Sequence, residues 1–229
     1  MININKLFKD SWQIYIKQFK TLVLITILTF LPIAIFQILA GFYKNNFVLE
    51  NFSGSGIEFG LIALIVLAIF ISWVGKGALI KNINDNKGIR KSLDYAWHNL
   101  ASIVWIDILT SIIVIIGFIL FIIPGILFSI WYAFSLMVLI LENKKGWQAL
   151  KQSRELTQGK WWGIFERLAI LYIIIIVVNI LLSRADSLIN GSQILTDVVF
   201  TVIMVLFTPF IFAYTYTIYK SLKGGAKNE

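Results

Sequence analysis

From Ala101 to Leu141 the chain runs for 41 residues with a single charged side chain, Asp107. A run of this length fits neither a strand nor a surface helix of a soluble domain. A helix needs only about 20 apolar residues to cross a hydrocarbon core of about 30 Å. The run is therefore too long for one crossing and long enough for two. Within it, Pro124-Gly125 is the natural break, because proline removes a backbone donor and glycine permits a tight reversal. The stretch reads as a membrane hairpin with spans at 101–123 and 125–141.

Four more apolar segments of spanning length, at 21–43, 57–80, 161–182 and 194–219, bring the count to six. Hydrophobic residues make up 59% of the chain and charged residues 14%, against about 45–50% and about 25% in soluble domains. The fold expected is an all-α, polytopic membrane protein, one membrane domain over residues 1–229. Lys6, Lys9, Lys17 and Lys20 precede the first span. Lys81, Lys87, Arg90 and Lys91 follow the second, and Lys144, Lys145, Lys151, Arg154 and Lys160 the fourth. Lys220, Lys223 and Lys227 follow the last, and the three intervening loops hold only Lys44 and Arg184. This alternation predicts both termini on the cytoplasmic side of the inner cell membrane. The net charge of +8 then reflects cytoplasmic loops, not nucleic-acid binding.

The basic segments carry a helical period of their own. Ile4, Leu7, Phe8, Trp12, Tyr15 and Phe19 recur in this way, as do Ile89, Leu93, Trp97 and Leu100, and then Trp147, Leu150, Ser153 and Leu156. Apolar positions at this spacing with basic residues between them predict helices lying in the membrane interface, at about 4–20, 88–100 and 146–158. Phe8-Lys9-Asp10-Ser11-Trp12 can be laid against Leu93 to Trp97 and Leu150 to Arg154. The pattern predicts a three-fold internal repeat of a surface helix followed by a two-span hairpin.

The residues that carry chemistry are few. The chain has no cysteine and one histidine, which leaves no thiolate chemistry and no histidine-built metal site. No cofactor motif, phosphate loop or nucleophile–base set is readable. The longest polar stretch is under twenty residues, so no soluble catalytic domain is expected and the chain reads as no enzyme. Ionisable groups inside spans are the candidates, because each is costly in lipid. Asp107 is the foremost, with Lys76, Glu166 and Arg167 as members of an expected intramembrane cluster; Asp107 would pair with Lys76 or Arg167, and Glu166 with Lys76.

Between Ile122 and Phe165 the chain follows a recognisable pattern: Ile123-Pro124-Gly125, a span, Glu142, Ala149-Leu150, Ser153, Leu156-Thr157, Gly159 and the pair Trp161-Trp162. It resembles the membrane domain associated with glycerophosphoryl diester phosphodiesterases and the related small six-span bacterial proteins of unknown function. The resemblance implies a six-span helical fold. It implies no phosphodiesterase activity, because in those enzymes a separate soluble barrel does the chemistry. Its motif residues are expected to be structural, with Ser153 and Thr157 bonding locally and Gly159 ending a helix before the fifth span.

These features favour a non-enzymatic membrane protein that organises lipid, or serves as a membrane subunit, through anionic headgroups at its basic collar. A protein partner or a second copy of the chain is compatible with this. The alternative is a small transporter or channel-like protein built on the cluster around Asp107.

Overall fold

The computed structural model describes residues 3–45, 55–189 and 193–225. The described residues form helices and no strands. The six long apolar helices make this an all-α polytopic membrane protein. A surface helix α1 (Ile4–Lys17) leads through Gln18 into span one, α2 (Phe19–Asn45). Span two is α3 (Ser55–Asp85), followed by a second surface helix α4 (Ile89–His98). Span three is α5 (Leu100–Leu120). Span four is in two pieces, α6 (Ile122–Tyr132) and α7 (Ser135–Glu142). The third surface helix is α8 (Trp147–Thr157), and spans five and six are α9 (Trp161–Ile189) and α10 (Gln193–Gly225).

The hairpin of spans three and four does not reverse where the sequence places the turn. The extended residue is Phe121, with φ −164° and ψ 156°, three positions before Pro124. Proline then falls in the first turn of α6, where a backbone N–H has no helical acceptor and its loss costs nothing. Gly125 instead lets the two helices touch. A Cβ at Gly117 would lie 3.0 Å from the Gly125 Cα, and one at Gly125 would strike the Phe118 ring. The Pro-Gly pair therefore starts and packs the second arm of the hairpin.

The second and third surface helices, α4 and α8, are entered through polar, conformationally permissive residues. Asn86 and Asn143 stand at φ 49° and 55°, and Gly88 and Gly146 at φ 84° and 52°. Only Asn and Gly adopt this region at low cost. The strings Asn86-Lys87-Gly88 and Asn143-Lys144-Lys145-Gly146 thus make comparable turns after spans two and four, each opened by a left-handed Asn and closed by a positive-φ Gly. Both release a helix back onto the protein.

That release corrects the expected repeat unit. α4 packs against α3, and α8 against α6 and α7. α1 packs chiefly against α10, at the other end of the chain. Each surface helix therefore belongs with the even-numbered span that precedes it, and α1 closes the circle by completing the third unit. The buried positions repeat in register: Leu7 and Ser11, Ser92 and Ala96, Ala149 and Ser153, all at 0–1% exposure. Each pair is four residues apart and shows one narrow face to the span below.

The core sits at the collar end of the bundle. Leu7, Leu22, Leu79, Ile103, Phe134, Tyr214 and Ile218 are buried there. On the far halves of the spans Ile62, Ile115, Ile119 and Ile176 are more than half exposed, as expected where lipid replaces protein as the apolar solvent. Neutral side chains join the spans within this core, as is usual between membrane helices. Close backbone approach adds to this: a Cβ at Gly75 would overlap the Thr29 side chain, whose hydroxyl already donates to the Ile25 carbonyl at 2.8 Å. Gly75→Val is expected to destabilise the detergent-solubilised protein by about 1–3 kcal/mol through overpacking. Gly60→Val, with nothing within 4 Å, should leave the melting temperature unchanged. Equal melting of the two variants would refute the α2–α3 contact.

Candidate functional site

The collar is built from the three surface helices. Their buried faces are described above; their outer faces pair one large indole with cations. Trp12, Trp97 and Trp147 are 55%, 66% and 66% exposed. Beside them Lys6, Lys9 and Lys17 on α1, Arg90 and Lys91 on α4, and Lys151 and Arg154 on α8 are exposed. Trp161 and Trp162 continue the exposed aromatic rim at the start of α9. Trp and basic side chains in this arrangement suit the boundary between headgroups and acyl chains.

Inside the collar the ends of spans two, four and six are laced together. The Tyr219 hydroxyl donates to Glu142 Oε1 at 2.5 Å, and Lys223 pairs with the same oxygen at 3.2 Å. Tyr216 donates to Asn84 Oδ1 at 2.9 Å. Tyr95 on α4 donates to the Ile140 carbonyl at 3.1 Å. Burial, and then the Asp85 carboxylate, push the Tyr95 phenol above its ordinary value, so it keeps the proton it donates. Glu142 has no buried charge to spare for chemistry: its carboxylate is committed to a hydroxyl and two ammonium groups, Lys144 being the second, at 3.9 Å.

The motif residues divide by what they touch. Ala149 and Leu150 are fully buried on α8, which packs chiefly against span four and also meets spans three and six. Thr157 does bond locally, donating to the Arg154 carbonyl at 3.0 Å, and Gly159 at φ 75° follows the end of α8 as expected. Ser153 does not bond locally. Its hydroxyl reaches into the break of span four, donating to the Trp131 carbonyl at 2.7 Å and accepting from the Phe134 N–H at 3.3 Å. Arg154 lies over the Trp131 ring, 4.6 Å from its centroid. A surface helix thus supplies the hydrogen bonds that a broken membrane helix lacks.

The ionisable cluster comes together only in half. Lys76 Nζ and Asp107 Oδ2 are 2.6 Å apart, and the Trp73 indole N–H donates to the same oxygen at 3.0 Å. Gly77 allows this approach, since a Cβ there would meet Ile103 and Ala96. Glu166 and Arg167 stand elsewhere, on α9, which packs against α10 and α6. Arg167 donates to the Gly163 carbonyl of its own helix, its carbonyl accepts from Tyr214 at 3.3 Å, and Glu166 is exposed. The expected Glu166–Lys76 pair is not formed, because the two lie on helices that do not adjoin there. Sequence reasoning missed Trp73, which needed only its position one turn from Lys76 to be noticed. It also missed the buried chain of Gln18, Asn82 and Ser92, whose residues look like ordinary loop polarity.

No curated protein and no solved structure matches the chain. Residues 95–222 match the model of a domain of unknown function, DUF8558. The match runs from the second half of α4 to Leu222 near the end of α10, and so includes spans three to six, the broken helix with its serine, and Glu142 with Tyr219. It covers more than half of the sequence, and the chain therefore belongs to the DUF8558 family.

Proposed function

We propose that this protein is a non-enzymatic organiser of the inner leaflet of the cell membrane, with both termini cytoplasmic and its collar seated among anionic headgroups. The observation that carries this is the tripled pairing of an exposed tryptophan with exposed lysine or arginine, at Trp12, Trp97 and Trp147. Each Lys or Arg near an anionic leaflet contributes about 1 kcal/mol, so three basic helices held rigidly by one core act as a single polyvalent surface. Rigidity matters, because a collar that is already folded gives up little entropy on binding. The likeness of residues 122–165 to phosphodiesterase-associated membrane domains supports a shared scaffold, with no catalysis attached. A transport reading is supported by two members of its cluster only, Lys76 and Asp107.

The test uses the full chain in nanodiscs. Melting temperature is expected to rise when phosphatidylglycerol replaces part of a phosphatidylcholine bilayer, and the rise should shrink in high salt as exposed charges are screened. Replacing Lys9, Arg90 and Lys151 with Gln should remove most of it. Equal stability in neutral and anionic discs sinks the proposal.

A further inference from the structure

Lys76 and Asp107 form an ion pair whose hydrogen-bonding capacity is unspent. Trp73 and Lys76 both donate to Asp107 Oδ2. Among the described residues no donor reaches Oδ1. A lysine ammonium carries three donors, and Lys76 uses one of them, on Asp107. The two side chains remain 39% and 31% exposed, although both belong to apolar spans. Leaving a charged donor and a charged acceptor half satisfied at membrane depth is costly. Both deficits are met at once by a ligand that carries an anion and a hydrogen-bonding cation together.

The surroundings give that ligand a direction. Asp107 is seven residues, about 10 Å, beyond the start of α5 at the collar end. Farther from the collar, on the Lys76 side of α3, Ile69 and Ile65 are 45% and 40% exposed. On α5, Ser111, one turn past Asp107, is exposed too. α3 and α5 are held together at Gly77 and Ile103, and beyond the ion pair each keeps exposed side chains, Ile69 and Ile65 on α3 and Ser111 on α5. The polar groups thus lie at the collar end of an exposed, largely apolar strip that runs away from the collar. A lipid of the collar-side leaflet has this polarity, headgroup outward and acyl chain inward.

We infer that Lys76, Asp107 and Trp73 form the headgroup site of one aminophospholipid, its phosphate on Lys76 and its primary ammonium on Asp107 Oδ1. A phosphatidylcholine headgroup offers no N–H to Oδ1. A phosphatidylglycerol headgroup brings no cation and sets its phosphate beside the carboxylate. The site lies beneath the collar and uses none of its lysines, so it goes beyond the collar proposal and stands without it.

The experiment is a native mass spectrometry titration of the delipidated full chain with phosphatidylethanolamine, phosphatidylcholine and phosphatidylglycerol of identical acyl chains. One phosphatidylethanolamine should be retained per protein, about tenfold more tightly than phosphatidylcholine, the scale of one lost charged hydrogen bond. Asp107→Asn should abolish the preference. Ser111→Phe, which sets a ring on the exposed face one turn past Asp107 and leaves the ion pair intact, should displace the lipid and decides the matter where Asp107→Asn does not fold. Lys9→Gln with Lys151→Gln should leave retention unchanged. Equal retention of the three lipids, preference for phosphatidylglycerol, retention by Ser111→Phe, or loss in the collar variant would each overturn the assignment.

Discussion

Ser153→Ala is expected to lower the stability of the solubilised protein by about 2 kcal/mol, the scale of leaving buried polar groups without a partner. The size of the side chain is not at issue. The corresponding position on α4 is already alanine, Ala96, and is buried to the same degree. The hydroxyl is what differs. Ser153 binds the carbonyl and N–H at the break between α6 and α7, a place where the helical ladder is interrupted inside an apolar span. Ser11, the corresponding residue of α1, donates to the Leu7 carbonyl of its own helix at 2.7 Å and lies 3.2 Å from the Thr217 hydroxyl. Thr217 keeps its own bond to the Ala213 carbonyl when Ser11 is removed. Ser11→Ala should therefore cost under about 1 kcal/mol, the lower end for a hydrogen bond whose partners remain satisfied. Thermal or denaturant unfolding of the two variants in one detergent makes the comparison. Equal losses would mean that Ser153 does not hold span four.

The second large effect is expected at Asn82. Its amide donates to Gln18 Oε1 at 2.9 Å, its oxygen accepts from the Ser92 hydroxyl at 3.2 Å, and Gln18 in turn donates to the Ile83 carbonyl at 3.2 Å. Gln18, Asn82 and Ser92 are 8%, 0% and 1% exposed. The chain joins the elbow between α1 and α2 to span two and to α4, which makes it the hinge pin of the first unit. Asn82→Leu leaves the buried Gln18 side-chain carbonyl short of a partner, while the Ser92 hydroxyl keeps the Gly88 carbonyl at 2.9 Å, and should cost about 2 kcal/mol. Adding Gln18→Leu should restore about 1 kcal/mol or more, because removing both partners of a buried bond costs less than removing one. Strict additivity in this double-mutant cycle would show that the two residues do not act through one another.

Much of this architecture was legible in the letters. Six helices long enough to cross a membrane follow from apolar length alone, and the surface helices lie where the period of Trp12, Trp97 and Trp147 with their neighbours placed them. The pairing of Lys76 with Asp107 was among the expected ones, since two opposite charges in adjacent apolar spans have few other ways to be neutralised. Other features were hidden for physical reasons. Phe121 turns the hairpin without any turn residue, because the reversal is stabilised by helix packing through Gly117 and Gly125 and not by local propensity. Ser153 looked like a locally bonded serine, since nothing in its neighbourhood announces that Trp131 and Phe134 lie across the groove.

What the sequence determined by itself is solvent: which segments prefer hydrocarbon, which carry the basic aromatic surface, and how often they alternate. These depend on composition and period, which are local properties of the chain. Only the tertiary structure decided which helix answers to which. It placed α1 against α10 across almost the whole sequence, kept Glu166 and Arg167 away from Lys76, and brought Glu142 under Tyr219 and Lys223. Such pairings depend on how helix surfaces fit once packed, and a side chain's partner in a core is set by shape at close range, which no linear spacing encodes.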